Sequence, residues 1–208
     1  MNQSEPVTAL TDYVLSLECV VLGVLLLRAA GLPAARSRWL WALSFLSTAL
    51  AAAAGGTFHS LAPSWSVPAA KLLWHGTILT IGVAGALMLA GAVCAAVSHR
   101  IRTLLLIAVA AKLALFVAWI LPHPEYRFVV FDYAAGMIAV LILQAYFPTA
   151  ATAWIVTGVL VSWAAGAIQI SGLSLHQNLN QNDIYHVIQM AAMFLFYRGG
   201  LRLQDRPG

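Results

Sequence analysis

Three histidines in this chain could hold a catalytic metal. His59, His75 and His186 stand in three separate apolar stretches, His59 and His186 near an end of theirs and His75 about seven residues into its own. Neutral imidazoles bind Zn2+ well, and a catalytic zinc usually keeps three protein ligands and a water. Two carboxylates, Asp132 and Glu18, fall at a comparable depth. As catalytic residues they could orient a ligand or accept a proton from metal-bound water. The segment "LNQNDIYHVIQM", Leu179 to Met190, surrounds His186 with Asn182, Asp183 and Gln189. Spacings of three and four put Asn182, His186 and Gln189, or Asp183, His186 and Met190, on one helix face. Such a stripe would line a polar cavity. No two histidines lie four apart, so there is no strong local metal signature.

Each of these residues also has a plainer reading. His59 at a helix end can meet lipid headgroups, and His75 beside Trp74 can be an interfacial pair. Asp183 can cap the helix it opens. Asp132 can pair with Arg127, and Glu18 with Lys112, as ion pairs of structural value only. His99, His123 and His176 read as solvated loop or end residues.

The elements that must position the set are membrane spans. The chain has 208 residues, 62% hydrophobic and only 9% charged, with a mean hydropathy of +0.86. A soluble domain does not have that composition. A span needs about 20 apolar residues, and stretches near 12–29, 38–60, 68–98, 102–122, 127–147, 150–171 and 183–201 qualify. The connections are short: "GLPAAR", "APSWSVP", "LPHPEY" and "FPT" punctuate them, and "SGLSLHQNLNQND" is the longest polar stretch. The fold class expected is all-α, a single seven-transmembrane-helix bundle over 1–208. At 1.5 Å per residue, Glu18, His59, His75, Asp132, Asn182, Asp183 and His186 then all lie within roughly 10 Å of one membrane face. Lys112 alone lies nearer the midplane.

Orientation follows from the basic residues. Arg28, Arg36, Arg38, Arg100, Arg102, Arg198, Arg202 and Arg206 fall at one end of the predicted bundle, against Lys71 and Arg127 at the other. The positive-inside rule puts the N-terminus outside and the C-terminus in the cytoplasm. The net charge of +4 is a topology signal. With no basic stripe interleaved with aromatics, no nucleic-acid partner is expected. The N-terminus has no basic run of a cleaved signal peptide. Cys19 and Cys94 are placed too far apart in depth to pair. Ala-rich, Lys-poor usage suggests a bacterial inner membrane, with the polar cluster facing the exterior. "ALAAAAGG" in the second span is a small-residue packing face.

Two motifs carry a family resemblance. "GGTFHSLAP" at the end of the second span and "NDIYHVIQ" opening the seventh resemble elements of the CREST superfamily of seven-helix membrane proteins. That group includes the alkaline ceramidases, the progestin and adiponectin receptors, and SID1-like and TMEM8-like proteins. "NDIYHVIQMAAMFLFYRG" is most similar to an uncharacterised bacterial family with "FH" and "NDLYHVIQ" motifs. The resemblance implies a zinc ion held by three histidines and hydrolysis of a lipid amide or ester. His59 would match the histidine of the second helix, and His186 the second histidine of the seventh. Gly55 stands where the family has serine, and Asn182 where it has its other seventh-helix histidine. His75 is the nearest substitute ligand.

The expected function is a zinc-dependent membrane hydrolase that takes a membrane lipid from the outer leaflet. The alternatives are a non-enzymatic receptor-like or accessory protein with a structural polar cluster, and a b-type haem protein with His59 and His186 as axial ligands. No inverted repeat marks a transporter.

Overall fold

A computed structural model of the protein describes residues 5–30, 35–176 and 179–207. Seven α-helices make up the described residues: α1 (Pro6–Ala30), α2 (Arg36–Leu61), α3 (Val67–Ala96), α4 (His99–Ile120), α5 (Tyr126–Tyr146), α6 (Thr152–Ser171) and α7 (Gln181–Gly200). The first six are long and apolar enough to cross a membrane. The last is more polar, because it carries Asp183, His186, Gln189 and Arg198.

Local chemistry sets the boundaries. Pro63 lies in the 3-10 turn Ala62–Ser64 that follows α2, and a proline stands in the first turn of α3, where a missing N–H costs nothing. Gly172 ends α6 with φ +69°, a left-handed conformation that glycine adopts without penalty. The start of α1 differs from the expectation of about residue 12. The helix begins at Pro6, a residue suited to the first helical position. Asp12 is therefore inside the helix rather than at its mouth. The cap of α7 is also corrected. Asn180 is the capping residue, accepting from the N–H groups of Asn182 and Asp183, and Asp183 returns the bond from the third position as a capping box.

The helices close into a ring in the order α1, α2, α3, α5, α6, α7 and back to α1, with α4 outside it against α3 and, more lightly, α5. Small residues let neighbours approach. A Cβ added at Gly91 of α3 would stand 2.8 Å from the Ser37 carbonyl oxygen of α2, and one at Gly56 of α2 would stand 3.0 Å from the Ala9 carbonyl oxygen of α1. One half of the bundle is filled by Leu26, Trp41, Phe45, Ile155, Met193 and Phe196, all essentially inaccessible. That half is the basic end. There the C-terminal segment folds back. Asp205 accepts from the N–H groups of Arg36 (3.0 Å) and Ser37 (2.8 Å) and so caps α2 from a distance. Arg206 donates to the Ala96 carbonyl (2.9 Å), and its own carbonyl accepts from Arg102 (2.6 Å). Cys19 and Cys94 are both buried and free.

Candidate functional site

The other half of the ring is open. Between the six ring helices lies a cavity of about 620 Å³. Its wall is mostly aliphatic and aromatic, with Trp74, Tyr126, Tyr133, Trp163 and Tyr185 supplying the rings. The α4 helix contributes nothing to it.

The polar part of the wall is built where α1 meets α7. The two helices start at the same end and run side by side, so matching turns face one another. Thr8 Oγ1 donates to Asp183 Oδ1 at 2.7 Å. One turn further in, Thr11 Oγ1 lies 2.9 Å from His186 Nδ1, and Asp12 Oδ1 lies 3.2 Å from His186 Nε2. Thr8, Asp12, Asp183 and His186 are all buried. The hydrogens can be assigned. The Thr11 hydroxyl donates to the Thr8 carbonyl at 3.0 Å, so His186 Nδ1–H donates to Thr11, and Nε2 shares one proton with Asp12. Asp12 Oδ2 is buried and has no hydrogen-bond partner among the described residues. It lies against Gly55, where an added Cβ would stand 3.3 Å from it. Here the absence of a side chain leaves room for the carboxylate.

Further around the wall, Ser162 donates to Gln189 Oε1 at 3.0 Å and Gln169 Nε2 donates to Asn182 Oδ1 at 3.3 Å. Asn182, His186 and Gln189 thus face the cavity together. Asp183 does not. Its carboxylate is taken up by Thr8 and by the Asn180 N–H (2.8 Å), which holds the start of α7 to α1. His59, at the last turn of α2, borders both the cavity and a vestibule of about 1360 Å³ outside it, as does Trp74. His59 Nδ1 lies 3.2 Å from Glu5 Oε2, and its backbone carbonyl accepts from the Glu5 N–H at 3.1 Å.

The remaining candidates lie elsewhere. His75 is at the vestibule, with Nδ1 2.7 Å from the Lys71 carbonyl and Nε2 3.3 Å from the Leu121 carbonyl. Asp132 is bound to Lys112 at 2.6 Å, joining α5 to α4 outside the cavity. That pairing replaces both ion pairs considered from the sequence, because Arg127 pairs with Glu125 instead. Glu18 is half-buried on α1, does not border the cavity, and its Oε2 has no partner among the described residues.

A three-histidine zinc site does not fit this arrangement. His75 is turned to carbonyls at the rim, both nitrogens of His186 are engaged, and no group of three or more His, Cys, Asp or Glu side chains stands together for a metal among the described residues. The same engagement of His186 leaves no nitrogen for a haem iron. What the arrangement offers is a carboxyl–imidazole pair in the wall of an aromatic cavity.

Sequence reasoning missed Thr8, Thr11 and Asp12. Their signal was present: Pro6 marks a helix start, and Thr8 and Asp12 are four apart, on the face that continues through Leu15 and Cys19, all buried. No curated protein and no solved structure matches the chain. The sequence does match DUF6962 over residues 7–205, and the protein belongs to that family, a family of unknown function.

Proposed function

We propose that this protein is a seven-span membrane protein that binds a small amphiphilic molecule inside its bundle and acts through that binding, as a receptor-like or accessory protein. The observation that carries this reading is the cavity of about 620 Å³. Its size and its apolar, aromatic wall with a few convergent polar groups are those of a small-molecule site. The α7 helix serves as the seventh span because its polar face is turned to α1 and α6, where hydrogen bonds satisfy it. The basic end, held by Arg38, Arg102 and Arg206, faces the cytoplasm of a bacterial inner membrane, and the vestibule opens to the exterior. Membrane lipid surrounds the bundle and is the nearest source of a ligand.

Gly166 borders the cavity and an added Cβ there meets nothing within 4 Å. Gly166→Phe therefore fills the cavity without disturbing its frame. Mass spectrometry of small molecules extracted from the purified protein tests the reading. Wild type carries a compound that Gly166→Phe loses. Identical extracts from the two proteins would end the proposal.

Hydrolysis of a lipid amide or ester is the second reading, favoured by the Asp12–His186 pair, since an imidazole held by a carboxyl can act as a general base on water. Turnover of a fluorogenic lipid amide or ester, abolished by His186→Gln, would put this reading first.

A further inference from the structure

The wall of the cavity has a charge pattern that selects among amphiphiles. Among the described residues it contains no lysine and no arginine. Its one carboxyl group, Asp12, is 5% exposed and keeps Oδ2 without a partner among the described residues. A buried oxygen in that state is a cost unless a donor meets it. Aromatic faces from Trp74, Tyr126, Tyr133 and Tyr185 surround the same space, and such faces attract cations.

We infer that the cavity takes an amphiphilic amine, its nitrogen at Asp12 Oδ2 and its chain along the apolar wall. This rests on the ligand-binding reading above and names the ligand class. An anionic head would meet a carboxyl group with no cation to answer it. An alcohol would satisfy Oδ2 but gain nothing from the ring faces. A neutral amine enters the apolar cavity without carrying charge into it. The proton shared by Asp12 and His186 then passes to the amine nitrogen, giving an ammonium beside a carboxylate and a neutral imidazole. Proton and charge balance inside the site, which avoids the cost of an unpaired buried charge. The other polar or charged groups around this pair are Glu5 just before α1, Thr8 and Thr11 on α1, His59 on α2, Tyr126 on α5, and Asp183 and Tyr185 on α7. Each has a partner already: Glu5 with His59, Asp183 with Thr8 and Asn180, Tyr126 with Tyr185. Lys71 lies in the vestibule and does not border the cavity.

The test is calorimetric binding to the full chain in nanodiscs of zwitterionic phospholipid. The probes are octylamine, octanol, octanoate and octyltrimethylammonium, which share a chain and differ at the head. Octylamine binds at least tenfold tighter than the other three, and Asp12→Asn removes that preference. The quaternary probe is discriminating, since it carries charge but has no N–H to give to Oδ2. Octanoate, octanol or the quaternary probe binding as tightly as octylamine would overturn the inference while leaving a ligand cavity intact. Failure of all four to bind, with Gly166→Phe indistinguishable from wild type, would remove the cavity reading as well. Should Asp12→Asn not fold, the wild-type order of the four probes decides alone.

Discussion

Asp183→Ala should destabilise the bundle by about 1.3–4.5 kcal/mol, built from two losses. The first is the capping box of α7: the Asp183 carboxylate accepts the Asn180 N–H at 2.8 Å, and a capping element is worth about 0.3–1.5 kcal/mol. The second is Thr8, whose hydroxyl donates to the same carboxylate at 2.7 Å and is 1% exposed. Leaving a buried donor unsatisfied costs about 1–3 kcal/mol. Thr8→Val removes the hydroxyl and orphans Asp183 Oδ1 instead. The double variant loses both ends of the bond at once, so the two effects should not add. Coupling between membrane-buried hydrogen-bonding residues averages about 0.6 kcal/mol and reaches about 1.7. A short bond to a carboxylate belongs at the upper end, so about 1–1.7 kcal/mol is expected here. The assay is equilibrium unfolding in mixed micelles, followed by tryptophan fluorescence. Strict additivity of the two single variants, within about 0.3–0.5 kcal/mol, would mean that α1 and α7 are not joined through this bond.

Four further outcomes follow from the packing. Lys112→Met leaves Asp132 unpaired in an apolar setting and should cost about 3–5 kcal/mol, whereas Lys112→Met with Asp132→Leu should recover most of it; equal stability of the single and double variants would contradict the pairing seen at 2.6 Å. Gly56→Ala presses a methyl group onto the Ala9 carbonyl at 3.0 Å and should cost about 1–3 kcal/mol. Gly76→Ala meets nothing within 4 Å and should be neutral or stabilising by up to about 1 kcal/mol, so thermal unfolding should rank the two in that order. Asp205→Ala uncaps α2 and should cost about 0.5–2 kcal/mol, read as a fall in melting temperature of about 2–4 °C per kcal/mol, with no change in ligand binding at the opposite end.

The helices were legible in the sequence because lipid imposes a strong rule: apolar runs of sufficient length, broken by proline and glycine. Bounds of α2 to α7 fall within a few residues of those read from hydropathy and punctuation. The first helix misled because Thr8, Thr11 and Asp12 look like an aqueous lead-in. They are instead a polar face, and polarity inside a span is visible only once its partner helix is known. Depth was readable from position: of the residues placed at one level, His59, Asn182 and His186 border one cavity. Azimuth was not. Asp132 and His75 share that level but point away from the cavity, Asp132 to α4 and His75 to the rim, and no one-dimensional pattern distinguishes facing inward from facing a neighbour. Gly55 shows the same limit. From the sequence it reads as a departure from the serine of the motif it resembles, while in the fold it is the space that admits Asp12.

The seam between α1 and α7 separates structural polarity from functional polarity. Two helices in lipid can approach closely on small residues, as α1 and α2 do at Gly56. The seam with α7 instead carries two polar layers. In the outer layer, Thr8, Asn180 and Asp183 satisfy one another, with both carboxylate oxygens used. A fully satisfied network of that kind fixes register and rigidity. In the inner layer, Thr11, Asp12 and His186 leave one carboxyl oxygen, Asp12 Oδ2, without a partner among the described residues. A fold selected for stability alone gains nothing from that oxygen, and Asp12→Asn could hold the same place with less charge to bury. The layers should therefore respond differently to substitution. Thr8→Val and Asp183→Ala should lower stability while leaving the order of amine over alcohol and carboxylate unchanged. Asp12→Asn should change that order with a smaller effect on unfolding. If instead both layers moved stability and selectivity together, the Asp12 carboxyl would belong to the same structural lattice as Asp183, and the cavity would need another explanation for its one unsatisfied acid.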